Sequence, residues 1–196
     1  MSRSTFFRRF GSKEDVVFAD HERILRQVNE RLAATMLDPL AAVADAALLV
    51  FNHHLQNRET SRARYELLQA VPALRDRELV TSHRYERAFL QYLNDKLPQD
   101  GRRGYKAVAF AAAVVAVHNA FLRQWLRAAP NTGDTGHPDR ARAAALASEL
   151  GALSETFRPA LLGTAATHTA PTVVVTVLAG PADKDAIAQA VRDALP

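Results

Sequence analysis

Arg3, Ser4, Thr5 and Arg8 stand close together at the start of this chain, and guanidinium and hydroxyl groups of this kind hydrogen-bond to bases and phosphates. Arg9 and Lys13 follow, and no acidic side chain interrupts residues 1–13. Ser2 is a good N-cap for a helix over residues 3–10. Gly11 then supplies a stop, and Ser12 caps a second helix with Asp15 three residues on. Phe6 and Phe10 share one face of the first helix, while Ser4, Thr5 and Arg8 turn the other way. An aromatic anchoring face backed by hydroxyls and guanidiniums suits the DNA major groove.

The seven histidines are the other candidates for chemistry. None pairs with another at i, i+4, no H-E-x-x-H occurs, and adjacent His53 and His54 point to different sides of a helix. Cysteine is absent, which excludes disulfides, thiolate chemistry and zinc-thiolate sites. There is no G-x-S-x-G elbow and no glycine-rich phosphate loop. The expectation is therefore no catalytic residue, no metal, no cofactor and no enzyme activity.

A pocket explains the polar residues better. His21 sits on the stripe of Val17, Ile24 and Val28; His118 lies one turn from both Val114 and Leu122; His54 is one turn from Phe51. Taken singly, each reads as a core histidine with a satisfied hydrogen bond. Taken together, and with Tyr65, Tyr85, Phe89, Phe121 and Trp125 on the same helices, they fit an amphipathic ligand cavity.

The elements that must position these groups are helices. Val17, His21, Ile24, Val28 and Leu32 step by three or four, which predicts a helix from Ser12 to about Thr35. Asp38-Pro39 opens the next, to about Gln56, and its apolar residues lie almost all round, as in a bundle centre. Further helices are expected over about 59–71, 73–96, 103–129 and 138–161, with 130–137 a loop by composition. In the last of them Leu146, Leu150, Leu153 and Phe157 form a stripe. Residues 172–178, TVVVTVL, have the β-branched density of a strand, and Asp183 can cap a final helix.

Composition adds few constraints. Hydrophobic residues at 48% and charged residues at 23% are ordinary for a soluble globular protein, and a net charge of +4 is too mild to argue for nucleic acid alone. The N-terminus is arginine-rich without an apolar signal-peptide core. The most apolar run, Val108–Val117, reads as too short to span a bilayer, which points to a cytoplasmic protein with no membrane partner.

Residues 2–14, S-R-S-T-F-F-R-R-F-x-S-K-E, resemble the recognition helix and following turn of the tetracycline-repressor (TetR) family of transcriptional regulators. The helix order of the rest resembles that family from its third helix to its ninth. The resemblance implies that Arg3, Ser4 and Thr5 reach base edges and that Phe7 stands where an aromatic, usually tyrosine, touches a phosphate. It places Arg8 and Arg9 on the groove wall and Lys13 on a phosphate. Phe7 lacks the hydroxyl. It also implies a DNA operator, a small hydrophobic or amphipathic ligand in a helical cavity, and a homodimer.

The expected fold is thus all-α, a TetR-like helical bundle with a partial helix-turn-helix at the N-terminus and a short strand-plus-helix C-terminal tail. The expected domains are 1–35, with recognition helix 3–10 and a connecting helix; 36–163, for ligand binding and dimerisation; and 164–196, an extension. The expected function is a ligand-responsive DNA-binding repressor. In the family the recognition helix is the third, and here it begins at residue 2. Operator binding by this chain is accordingly expected to be weak or lost. The alternative is a dimeric helical ligand-binding module that has lost DNA binding. Dimerisation is expected through helices 103–129 and 138–162, because the Leu146-to-Phe157 stripe exceeds what one neighbouring layer would cover.

Overall fold

The computed structural model describes residues 17–97, 101–128 and 137–163. The chain divides into two units, Met1–Ala165 and Ala166–Pro196, and every described residue belongs to the first. Helix 3–10, the start of the second helix at Ser12, the loop at 130–136, strand 172–178 and the terminal helix lie outside the described residues.

Six helices are described: α1 Ala19–Ala34, α2 Pro39–Gln56, α3 Arg58–Ala70, α4 Pro72–Lys96, α5 Gly101–Arg127 and α6 His137–Leu161. Ile24, Val28 and Leu32 on α1 are fully or almost fully buried, and His21 is half-buried at the head of the same stripe. Charged residues take the remaining faces, as an amphipathic helix against a bundle requires. Thr35–Leu37 turns the chain, with the Leu37 amide donating to Thr35 Oγ1 at 3.2 Å.

Asp38 then starts α2 as its sequence predicts. Its carboxylate accepts from the Leu40 and Ala41 amides at 3.1 and 3.2 Å, and Pro39 needs no amide partner there. The same carboxylate accepts from Arg158 at 3.2 Å, tying the end of α6 to the start of α2. Helix α2 packs against each of the other five helices. Leu40, Val43, Ala46, Ala47, Val50 and Phe51 are buried in one core, shared with Leu93 of α4, Phe110 and Val114 of α5, and Leu146 and Leu150 of α6.

Asp139 is the main polar joint. It accepts from the indole N–H of Trp125 at 3.2 Å and pairs with Arg58 and Arg142, so one carboxylate holds the start of α6 against α3 and α5. Pairing satisfies a buried indole N–H that would otherwise cost about 1–3 kcal/mol.

Two expectations change here. Leu146 and Leu150 are fully buried within their own bundle, and Phe157 packs on Phe110 with ring centres 5.4 Å apart. The stripe that suggested a second chain is covered mainly by α2 and α5, because α6 lies in the angle between them. Among the residues that α5 and α6 leave exposed are the small or apolar Tyr105, Val108, Ala109, Ala116 and Ala120 on one and Ala145, Ser148 and Ala152 on the other, alongside charged residues such as Lys106, Arg123, Arg140 and Glu149. The second change concerns length. Gly104–Arg127, with mean hydropathy 1.5 over its most apolar window, is long and apolar enough to cross a membrane, so the shorter run 108–117 understated this helix. Here it is a bundle helix: Ala107, Phe110, Ala111 and Val114 are buried against its neighbours.

Candidate ligand-binding site

One face of each of five helical segments converges on a cavity that offers about 70 Å³ to the centres of water-sized molecules. The spacing in each helix explains the convergence. Ala47, Val50 and His54 line it from α2; Ser61, Arg64, Tyr65 and Leu68 from α3; Thr81, Tyr85 and Phe89 from α4; Val115, His118 and Leu122 from α5. These residues, apart from the adjacent Arg64 and Tyr65, step by three or four along each helix, with Ser82 and Asn119 bordering Thr81 and His118 on the same side, so each set is one helical stripe. His21 of α1 and Phe18 before it close the remaining side. Phe18 and Leu68 pack with Leu74 in a small apolar cluster of their own.

Within this cavity stand three imidazoles. His21 and His54 have ring centres 5.8 Å apart, and His54 and His118 are 6.3 Å apart. Their hydrogen bonds assign their protons. Arg64 can only donate, so its 3.0 Å bond makes His21 Nε2 the acceptor and leaves Nδ1–H to donate to the Tyr85 hydroxyl at 3.1 Å. The Ser61 hydroxyl donates to the His54 carbonyl at 3.2 Å, so its oxygen accepts from His54 Nδ1–H at 3.2 Å. Asn119 donates its amide to Ser82 at 3.2 Å, which orients its carbonyl oxygen to accept from His118 Nδ1–H, also at 3.2 Å. All three rings are then neutral and present Nε2 as an acceptor. Nε2 of His118 is buried with no hydrogen-bond partner among the described residues.

The electrostatics agree with neutral rings. Burial, reinforced by the Arg64 charge, pushes His21 down to about 3. Burial pushes His118 down to about 4, against the opposing bond to Asn119. It also holds His54 well below the ordinary imidazole range, with His118 and His21 adding to the effect. Tyr85 is pushed up by burial and stays a neutral phenol. Desolvation lowers Arg64 too, while Asp20, at 3.6 Å, acts the other way. Glu78 also lines the wall. Among the described residues no group of three or more histidine or acidic side chains could hold a metal ion. His21 shows why: both of its ring nitrogens are engaged.

Of the nine residues expected to form a pocket, His21, His54, Tyr65, Tyr85, Phe89 and His118 border this cavity. Phe51, Phe121 and Trp125 do not. Phe51 stands behind His118, edge-on with ring centres 5.9 Å apart. Phe121 is half-buried against the main core. Trp125 is sealed between Asp139 and the Arg62 guanidinium, which lies 5.6 Å above its ring. Arg64, Ser61, Asn119 and Thr81 were missed by sequence reasoning. The spacing of Ser61, Arg64, Tyr65 and Leu68 was the available signal, since only one side of a helix carries such a set. Arg3, Ser4, Thr5, Phe7, Arg8, Arg9 and Lys13, expected from the sequence to contact DNA, lie outside the described residues.

Among the described residues the chain is an all-α bundle with a partly open, mainly apolar cavity between its helices. The family described as the MftR C-terminal domain matches residues 37–135, half of the chain, and covers α2 to α5. The chain belongs to the TetR family of transcriptional regulators. No curated protein matches it.

Proposed function

We propose that this regulator is a ligand-responsive repressor and that the cavity of His21, His54 and His118 is its effector site. The observation that carries the reading is the bonding of the cavity wall to α1. Arg64 reaches both Asp20 and His21, and Tyr85 bonds the other nitrogen of His21. Residues 1–16 precede α1 in the chain, and they hold Arg3, Ser4, Thr5, Phe7, Arg8, Arg9 and Lys13, the proposed DNA contacts. A ligand that accepts from Arg64, or that donates to the Tyr85 hydroxyl, competes with His21 for that partner. It therefore favours a different seating of α1 and, through it, of the DNA-binding segment. Such coupling needs only that the ligand bind the two arrangements unequally.

The role is binding, not catalysis. The three imidazoles and Tyr85 are neutral, Arg64 is opposed by Asp20, and the Ser61 hydroxyl donates to a backbone carbonyl rather than to a base. The working form is a homodimer across the exposed small and apolar residues of α5 and α6, acting in the cytoplasm. In that form two copies of the N-terminal segment address two half-sites.

The test is a fluorescence-anisotropy titration of DNA from upstream of the coding sequence, with light scattering on the same sample. Specific, salt-dependent binding is expected, weakened about tenfold or more by Arg3→Ala or Thr5→Ala, together with the mass of two chains. Specificity decides here, however weak the affinity. Equal affinity for unrelated DNA of the same length, or a monomer mass at micromolar concentration, contradicts the proposal.

A further inference from the structure

The same cavity restricts what its occupant can be, given the reading of it as the effector site. Nε2 of His118 carries a lone pair, is buried and has no partner among the described residues, and its ring lines the cavity. The bond from Nδ1 to Asn119 fixes the tautomer, and the Asn119–Ser82 bond fixes the amide that fixes it. Inverting the donor and acceptor ends of the ring would require the Asn119 amide to turn over and the Ser82 hydroxyl to change from acceptor to donor. The position therefore calls for a donor from whatever fills the cavity.

Three further observations narrow the class. Positive charge is disfavoured, because the burial that lowers all three imidazoles, reinforced by the Arg64 charge at His21 and His54, would act on an ammonium as well. A multiply charged anion is disfavoured too, since Arg64, the cation among the described residues that line the cavity, is already opposed by Asp20, and Glu78 stands on the same wall. Size is the third limit. The part of the cavity open to the centres of water-sized molecules, about 70 Å³, is smaller than the roughly 150 Å³ that holds benzene, so even a single ring needs side chains to give way or part of the ligand to reach the partly open mouth. Arg64 Nε is also buried without an acceptor, so a group that both donates and accepts suits this cavity better than a pure donor.

We propose that the effector is a compact, uncharged molecule carrying an O–H or N–H that donates to Nε2 of His118. Phenol stands for the class, benzene for the same body without the donor, and benzylamine for a cationic competitor.

The experiment is an imidazole ¹⁵N NMR titration of the whole chain with each probe. Phenol should move the unprotonated Nε2 signal of His118 upfield while the ring stays neutral. Benzene should leave that signal unmoved and bind about tenfold more weakly, the worth of one buried hydrogen bond. In His118→Phe the preference for phenol over benzene should vanish. The wild-type signal decides the matter if that variant fails to fold. Benzene binding as tightly as phenol, or phenol binding without moving His118, overturns the donor assignment while leaving the cavity as a ligand site. Benzylamine binding as tightly as phenol overturns the uncharged class. Binding of none of the three overturns the effector-site reading and this inference with it.

Discussion

Lowering the pH from 6.5 toward 4.5 is expected to strip stability from the bundle before its carboxylates titrate. In the unfolded chain each imidazole takes up a proton near pH 6.5. In the fold His118 does so only near 4 and His21 only near 3. Between those values the unfolded state binds more protons, so stability rises with pH and falls as pH is lowered. Each histidine removes about 1.4 kcal/mol per pH unit within its window. Above pH 6.5 neither contributes, and below its folded value each penalty stops growing. Together His21 and His118 withdraw about 3 kcal/mol per unit between 6.5 and 4.5, and His54 acts in the same direction. Glu22, held low by Arg84, loses its contribution only below the ordinary carboxylate range, so its effect comes later in the titration. Against a total of about 5–15 kcal/mol the histidine effect is large. Urea unfolding at pH 7, 6 and 5 measures it. His118→Phe should remove one histidine's share of the slope. A midpoint unchanged from pH 7 to pH 5 would mean that the three rings are not buried neutral.

Replacing Phe51 by alanine should be the most damaging single truncation near the site. Phe51 is fully buried in the C-terminal third of α2, the helix that touches the other five described helices, and its ring meets His118 edge-on. The loss combines transfer of a large apolar side chain with the cavity left behind, about 3–5 kcal/mol. The urea midpoint should fall with little change in the slope of the transition, since the surface exposed on unfolding is nearly the same. Phenol binding should weaken as well, because His118 loses the ring that backs it. A cost below about 1 kcal/mol would place Phe51 outside the packed core.

Parts of this architecture stand plainly in the sequence. Asp38-Pro39 is a cap and a first-turn proline, and the structure uses both. His21 and His118 interrupt apolar stripes at helical spacing, and an interruption of that kind is visible without coordinates. Other parts are hidden for physical reasons. Helix α5 is buried on more than one side, so periodicity alone does not separate Leu122 and Leu126, which line the cavity, from Phe121 and Trp125, which do not. Arg64 lies in a short polar helix and reads as solvated, until α1 and α4 are folded over it. Val80 looks like a core residue beside Tyr85 and Phe89, yet it is exposed, and the stripe runs instead through Thr81. The Leu146-to-Phe157 stripe declares a buried face but not whose surface buries it. Here α2 and α5 of the same chain do most of it.

The central claim is that occupancy of the cavity is felt by α1 through Arg64 and Tyr85. Amide hydrogen exchange over residues 19–34, with and without phenol at concentrations that saturate the NMR titration, tests this most directly. The account expects exchange in α1 to change on binding, and the change to shrink in Tyr85→Phe, which removes the hydroxyl that holds His21. Protection confined to the cavity-lining segments of α2 to α5, with α1 exchanging as it does without ligand, would contradict it.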